Sequence, residues 1–170
     1  LSFDYGQRHS IELECAKKIA GLAGVSHTVA SLPIFADLGA NALTSDTAVS
    51  RELEDNGLPN TFVPGRNLFF MTYAAAWACS RDIQHIVTGV AQTDYSGYPD
   101  CRESTLQALQ QALRLGMESE FTLHTPLMHL SKAETVRLAQ QHDAMGALAF
   151  SHTCYNGIFP PCETCPACEL

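Results

Sequence analysis

Positive charge and long apolar runs are both scarce in this chain, and each shortage removes a class of protein. Lysine and arginine number 10 against 18 aspartates and glutamates, a formal net charge of −8. With no basic stripe, a surface built to track a phosphate backbone is not expected. A local basic pocket remains compatible with that balance. The most apolar stretch, 68–79, is too short to span a bilayer and reads as a buried helix. No secretory leader is recognised, so a cytoplasmic, reducing setting without membrane attachment is expected. The 170 residues, 46% hydrophobic and 16% charged, suit a single α/β domain over 1–170 rather than a disordered chain. Both ends look cut: Leu1 is no initiator methionine, 1–3 enter a strand already under way, and only two residues follow the last cysteine. The sequence is therefore read as an internal fragment of a longer protein.

Cysteine is concentrated rather than abundant. Cys15, Cys79 and Cys101 are scattered on otherwise apolar elements without a pairing pattern, as reduced thiols would be. Cys154, Cys162, Cys165 and Cys168 follow C-x7-C-x2-C-x2-C. Two overlapping C-x-x-C turns put three thiolates on one backbone corner, and the loop 155–161 returns Cys154 to complete a tetrahedron around zinc. Four soft ligands leave no open position, so such a zinc is structural. A disulfide pair and an iron–sulfur cluster are the alternatives, and zinc is preferred. His152 is not needed as a ligand.

Strand and helix patterns alternate along the chain. Residues 1–4 read as a strand, and 10–23 as a helix on Ile11, Cys15, Ile19 and Leu22, stopped by Gly24. A strand at 27–32 ends at Pro33, and a short helix is predicted at 34–43. Residues 44–60 are polar, acidic and closed by Gly57 and Pro59, and are expected to form a mobile loop. A core helix to Ser80, a strand at 85–89 with the apolar continuity of a sheet centre, and a polar loop follow. Asp100 and Glu103 are read as a capping box for a helix striped by Leu106, Leu109 and Leu113, with Gly116 as its stop. A strand at 121–125 ends at Pro126, and S-x-x-E at Ser131–Glu134 opens the last helix. Alternation of this kind implies right-handed βαβ units, hence a parallel sheet with helices on both faces, followed by a zinc-binding loop at 154–168.

In such a sheet, ligands bind where loops and helix starts gather at the carboxyl ends of the strands. Arg8, Arg66, Arg102 and Lys132 all fall at the start of predicted helices. A cation there opposes the helix dipole at about 0.3 to 1 kcal/mol each. Four such positions in an acidic protein point to a bound anion that compensates them, and helix N-termini already favour phosphate.

Five segments in order, FDYGQRH, VPGRN, SGYPDCR, TPLMHLSKAET and the four-cysteine loop, resemble the 7-cyano-7-deazaguanine synthase family over nearly the whole chain. SGYPDCR and the cysteine spacing are specific, whereas TPL before a Lys-x-Glu helix is shared more widely among N-type ATP pyrophosphatases. The resemblance implies an adenine-nucleotide alpha-hydrolase-like fold of the HUP, Rossmann-like type, and a structural zinc on the four cysteines. One departure stands out: family members open with an SGGxDS pyrophosphate loop, and no such motif occurs here.

The implied reaction uses ATP with magnesium to activate the carboxylate of 7-carboxy-7-deazaguanine. Ammonia displaces the leaving group to give an amide, which is activated in turn and dehydrated to the nitrile. For that chemistry Arg66, Arg102 and Lys132 are assigned as the catalytic cations, with Lys132 on phosphate and Arg102 at the acid. Arg8, Asn67, Asp94, Ser96, Gly97, Tyr98 and Asp100 would line the acid's site, and Phe3, Gly89 and Lys132 the nucleotide's. Cys101 has no role, since adenylation and ammonolysis need no thiol. No glutaminase domain fits the length, so ammonia comes from solution or a partner, and a homodimer is admitted. Lacking the glycine-rich loop, the chain alone is expected to bind ATP poorly and not to turn over. Two readings from other classes are kept: a zinc-stabilised module that binds or modifies tRNA, and an inactive structural fragment.

Overall fold

The computed structural model describes residues 1–38, 41–92 and 97–169. Within it the chain divides into two compact units, Leu1–Val63 with Val136–Leu170, and Pro64–Thr135. Each contains one parallel strand pair, so the class is α/β.

In the first unit β1 (Ser2–Asp4) pairs with β2 (Val29–Ser31), Phe3 lying opposite Ala30. Parallel neighbours need a crossover, and α1 (Ile11–Leu22) supplies it. Its apolar spacing is the one read from the sequence, and Gly24, at φ +66°, ends it in the left-handed region. Tyr5 meets Phe35 edge-on, with ring centroids 5.9 Å apart, over a core of Ala30, Ala42, Leu43, Thr61 and Val63. The helix expected at 34–43 is instead a 3-10 turn, Pro33–Leu38. Asn41 explains the stop. Its Oδ1 accepts the Leu43 N–H at 2.8 Å and its Nδ2 donates to the Phe62 carbonyl at 2.7 Å, which takes the backbone away from a helical path.

Residues 44–60 bury little, yet side chains hold them at intervals. Ser50 N–H donates to Asn60 Oδ1 at 3.1 Å, and Asn60 Nδ2 donates to the Ala48 carbonyl at 2.8 Å.

In the second unit α2 (Arg66–Cys79) leads to β3 (His85–Val87), and α3 (Glu103–Met117) to β4 (Thr122–His124). β3 and β4 pair in parallel, Ile86 opposite Leu123. Ala75, Ala78, Leu106, Phe121 and Met128 form the core. Arg114 Nε donates to the Phe121 carbonyl at 2.7 Å, and Gln110 Oε1 accepts the Leu123 N–H at 2.6 Å, so α3 grips β4 by its backbone. Two expectations change here. β3 is not enclosed: Val87 is 69% exposed, because a two-stranded pair leaves a face uncovered among the described residues. On α2 only Ala75 and Ala78 are buried, and Phe69 is half exposed.

The next helix, α4 (Lys132–Gln141), starts on the box that the sequence spells. Glu134 Oε2 accepts the Ser131 N–H at 2.8 Å, and Ser131 Oγ accepts the Glu134 N–H at 3.3 Å. Short helices α5 (Met145–Leu148) and α6 (Pro166–Glu169) complete the first unit. No helix among the described residues is long and apolar enough to cross a membrane.

Candidate metal centre and anion-binding edge

The loop from Cys154 to Cys168 brings all four sulfurs within 4.8 Å of one another. Sγ of Cys168 lies 3.8 Å from that of Cys162 and 3.4 Å from that of Cys165. A zinc tetrahedron with arms of about 2.3 Å has edges of about 3.8 Å, so the donor set and its spacing fit a four-coordinate ion. Backbone amides already point at the sulfurs. Cys165 N–H lies 3.2 Å from Cys162 Sγ, Tyr155 N–H 3.4 Å from Cys165 Sγ, and Cys162 N–H 3.5 Å from Cys154 Sγ. All seven cysteines are unpaired in the structure.

These thiols do not share one acidity. Side-chain and backbone hydrogen bonds from Thr164 pull Cys162 down to about 5. Burial raises Cys154, but the backbone donors of Cys162, Asn156 and Ile158 outweigh it and the net direction is down. Burial, and then the adjacent Cys165 thiol, push Cys168 up to about 12. Four thiols this close cannot all ionise without a cation between them. A divalent metal would supply that charge and take them all as thiolates.

The loop's own geometry depends on Gly157, at φ +61°. A Cβ there would fall on the ring of His9, so the first turn of the chain is packed against the cysteine loop. Gly157→Ala should therefore cost about 1 to 3 kcal/mol by urea titration, from left-handed strain and overpacking together. Gly6→Ala, where an added Cβ meets nothing within 4 Å at a similar φ of +82°, isolates the strain alone. Equal losses at the two positions would reject the packing.

In the second unit, chemistry-bearing groups gather beyond the carboxyl ends of β3 and β4. Gln92 N–H donates to the Met128 carbonyl at 2.9 Å, and Gln92 Oε1 accepts the Glu103 N–H at 3.0 Å, tying both post-strand loops to the start of α3. The 3-10 turn Pro99–Cys101 packs on both α2 and α3. α2 has no capping side chain of its own, since Gly65 is its N-cap at φ +74°. Asp100, from that turn, supplies the missing acceptor: its Oδ2 takes the Asn67 N–H at 2.9 Å. Asn67 Nδ2 in turn lies 3.3 Å from Cys101 Sγ.

Asp100 therefore caps α2 rather than α3, whose N-cap is Arg102 with no side-chain hydrogen bond. The pairing is unreadable locally, because its partners stand 33 residues apart. Asp100 is only 4% exposed, so Asp100→Ala leaves a partly buried helix amide unpaired and should cost about 1 to 3 kcal/mol. Chemical denaturation should show Asp100→Asn recovering part of the loss. A neutral effect of Asp100→Ala would remove the cap from the account.

The expected site residues are distributed as follows. Arg66 and Arg102 begin the two helices that share the Asp100 turn, and the Arg66 guanidinium lies 5.6 Å from the ring centre of the buried Tyr98. Lys132 starts α4 and is exposed, as is Arg102. Gly97, at φ +62°, enters the turn, and Gly89 follows β3 with Leu127 as its nearest neighbour. Phe3 and Arg8 belong to the first unit, where Arg8 Nη1 donates to the carbonyls of Ala42 (3.3 Å) and Thr47 (2.8 Å). Asp94 and Ser96 lie outside the described residues. Sequence reading did not single out Asn41, Asn60 or His9. Asn41 and Asn60 bracket the acidic loop, and that placement was the available signal.

A family model described as "Queuosine biosynthesis protein QueC" matches residues 1–170. The chain is 64% identical over 172 residues to the 7-cyano-7-deazaguanine synthase of Chromobacterium violaceum, covering all of this chain and 74% of that protein. It is 62% identical over 173 residues to the synthase of the same name from Laribacter hongkongensis, covering 75% of it. Against that of Nitratidesulfovibrio vulgaris the identity is 46% over 191 residues, covering 78%.

Proposed function

The chain belongs to the QueC family of queuosine biosynthesis proteins, and from that premise we propose how its residues serve nitrile synthesis. The family match over all 170 residues, together with relatives named 7-cyano-7-deazaguanine synthase, is the observation that carries this reading. The substrates are 7-carboxy-7-deazaguanine, ATP with magnesium, and ammonia. A carboxylate oxygen attacks the α-phosphate and releases pyrophosphate. Ammonia then displaces AMP to give the amide, whose oxygen is activated by a second ATP and leaves with AMP as the nitrile forms.

Such chemistry asks the protein for position and positive charge. Arg66 and Arg102 stand at two helix starts joined by the Asp100 turn, where backbone amides and guanidinium groups can face one anion. Lys132, exposed at the first position of α4, is assigned to phosphate. Asn67, Gly97, Tyr98 and Asp100, with Asp94 and Ser96, are assigned to the deazapurine acid. Asp100 acts there by holding α2, and Tyr98 by backing Arg66. Phe3 and Gly89 are assigned to the nucleotide, and Arg8 to the acid site's margin.

The four cysteines are assigned a structural zinc. Sulfurs within 4.8 Å of one another enclose the volume of one ion rather than a multi-iron core. For the fold, a wider parallel sheet of the adenine-nucleotide alpha-hydrolase type is proposed, supported by parallel pairing within each unit.

The test uses a chimera. The quarter of the Chromobacterium relative that lies outside the alignment is joined to this chain and given the acid, ammonia, and ATP with magnesium. Nitrile detected by mass spectrometry, with two AMP released per nitrile, is the expected result. A folded, zinc-loaded chimera that yields neither amide nor nitrile rejects the assignment.

A further inference from the structure

One side chain of the polar loop 44–60 reaches into the cysteine loop. Arg51 Nε donates to the Thr164 carbonyl at 3.0 Å, and its Nη2 pairs with the carboxylate of Glu169. Thr164 lies between Cys162 and Cys165, and Glu169 directly follows Cys168. Both acceptors are thus carried by residues adjoining the sulfurs. Their own secondary structure cannot hold them in place, since α6 has four residues, too few for a helix that persists by itself.

The rest of the loop is attached near its base. Arg8 holds the carbonyls of Ala42 and Thr47, and Asn60 holds Ala48 and Ser50. Farther out, the span 52–58 has turns and the Leu53–Pro59 bridge, with Leu53 64% exposed. Arg51 is therefore the outer attachment, and its planar fork suits two acceptors set at a fixed separation. An exposed ion pair between mobile partners contributes little, so the attachment has force only while both acceptors are held.

We propose, on the premise that the four cysteines bind zinc, that the ion governs the 44–60 loop through Arg51. With the tetrahedron closed, Thr164 and Glu169 keep the spacing that the guanidinium spans, and the loop is pinned. With the ion gone the two acceptors part, and the loop opens from its tip while Arg8 and Asn60 keep its base. A centre whose chemistry is purely structural thus sets the order of a segment remote from it in sequence.

The test is limited proteolysis and amide hydrogen exchange on the 170-residue chain. Three states are compared: zinc-loaded, stripped by a chelator, and zinc-loaded Arg51→Met. Metal content is read by elemental analysis on the same samples. Cleavage and exchange within 50–58 should rise about fivefold or more on stripping. Zinc-loaded Arg51→Met should show the same rise at unchanged metal content, with β1 and β2 still protected. If stripping unfolds the whole unit, the zinc-loaded variant decides by itself. Wild-type rates in Arg51→Met overturn the proposal while leaving the zinc centre intact. Failure of the chain to take up zinc overturns the premise, and metal content alone reports that.

Discussion

Cys165→Ala should leave the chain without its ion and lower its thermal midpoint by about 10 °C or more. The sulfur it removes is buried, 3% exposed, accepts the Tyr155 amide, and stands 3.4 Å from Cys168. A closed four-sulfur site has no catalytic position to offer, so its binding free energy is returned as stability. The local fold has little else to rest on, since α5 and α6 have four residues each. Elemental analysis should find about one zinc per wild-type chain and none in the variant, with calorimetry reporting the midpoint. Cys79→Ala, which removes a half-buried thiol on α2, should keep the metal. Stoichiometric iron, or a metal-free chain that melts with the wild type, would sink the zinc centre.

In the chimera, Lys132→Ala and Arg102→Ala should each lower kcat/KM by about 10²- to 10³-fold, equivalent to about 2.7 to 4 kcal/mol of transition-state stabilisation. Both side chains are exposed and both start helices, at positions where a cation works against the dipole. Stability should therefore stay level or rise by a few tenths of a kcal/mol, on the order of the dipole effect. Activity and stability moving in opposite directions would separate a functional cation from a structural one. Lys132→Arg should recover part of the rate, because charge returns with a different donor geometry. Unchanged kcat/KM in either alanine variant withdraws that residue from the proposed catalytic cations.

Local patterns in the sequence were dependable where the structure is itself local. The apolar spacing of α1, the Ser131–Glu134 box and the four-cysteine spacing each lie within one stretch of at most fifteen residues, and each is found as read. Features built from distant partners were not legible. Asp100 looks like the cap of the helix three residues ahead, yet it caps α2, because the 3-10 turn aims its carboxylate backward across 33 residues. The turn at Pro33–Leu38 has helical composition, but Asn41 redirects the chain through contacts with Leu43 and Phe62. β3 carries the apolar run of a central strand, and no pattern within it reveals that Val87 lies on an uncovered face. Composition located Arg66 and Arg102 at helix starts, while the link between the starts of α2 and α3 depends on Asp100 and was invisible.

The first unit is discontinuous: Leu1–Val63 and Val136–Leu170 close around contacts such as His9 with Gly157 and Arg51 with Thr164. Synthesis on a ribosome runs from one end, so residues 64–135 emerge complete while the first 63 still lack their partners in 136–170. Domains made of one stretch can fold as they emerge. Here β1, α1 and β2 must wait, with their apolar faces open, until the cysteines leave the exit tunnel. If the four cysteines take a metal, its capture follows the synthesis of 64–135. Zinc shortage during growth should accumulate chains whose 64–135 segment is protease-resistant while the remainder is degraded.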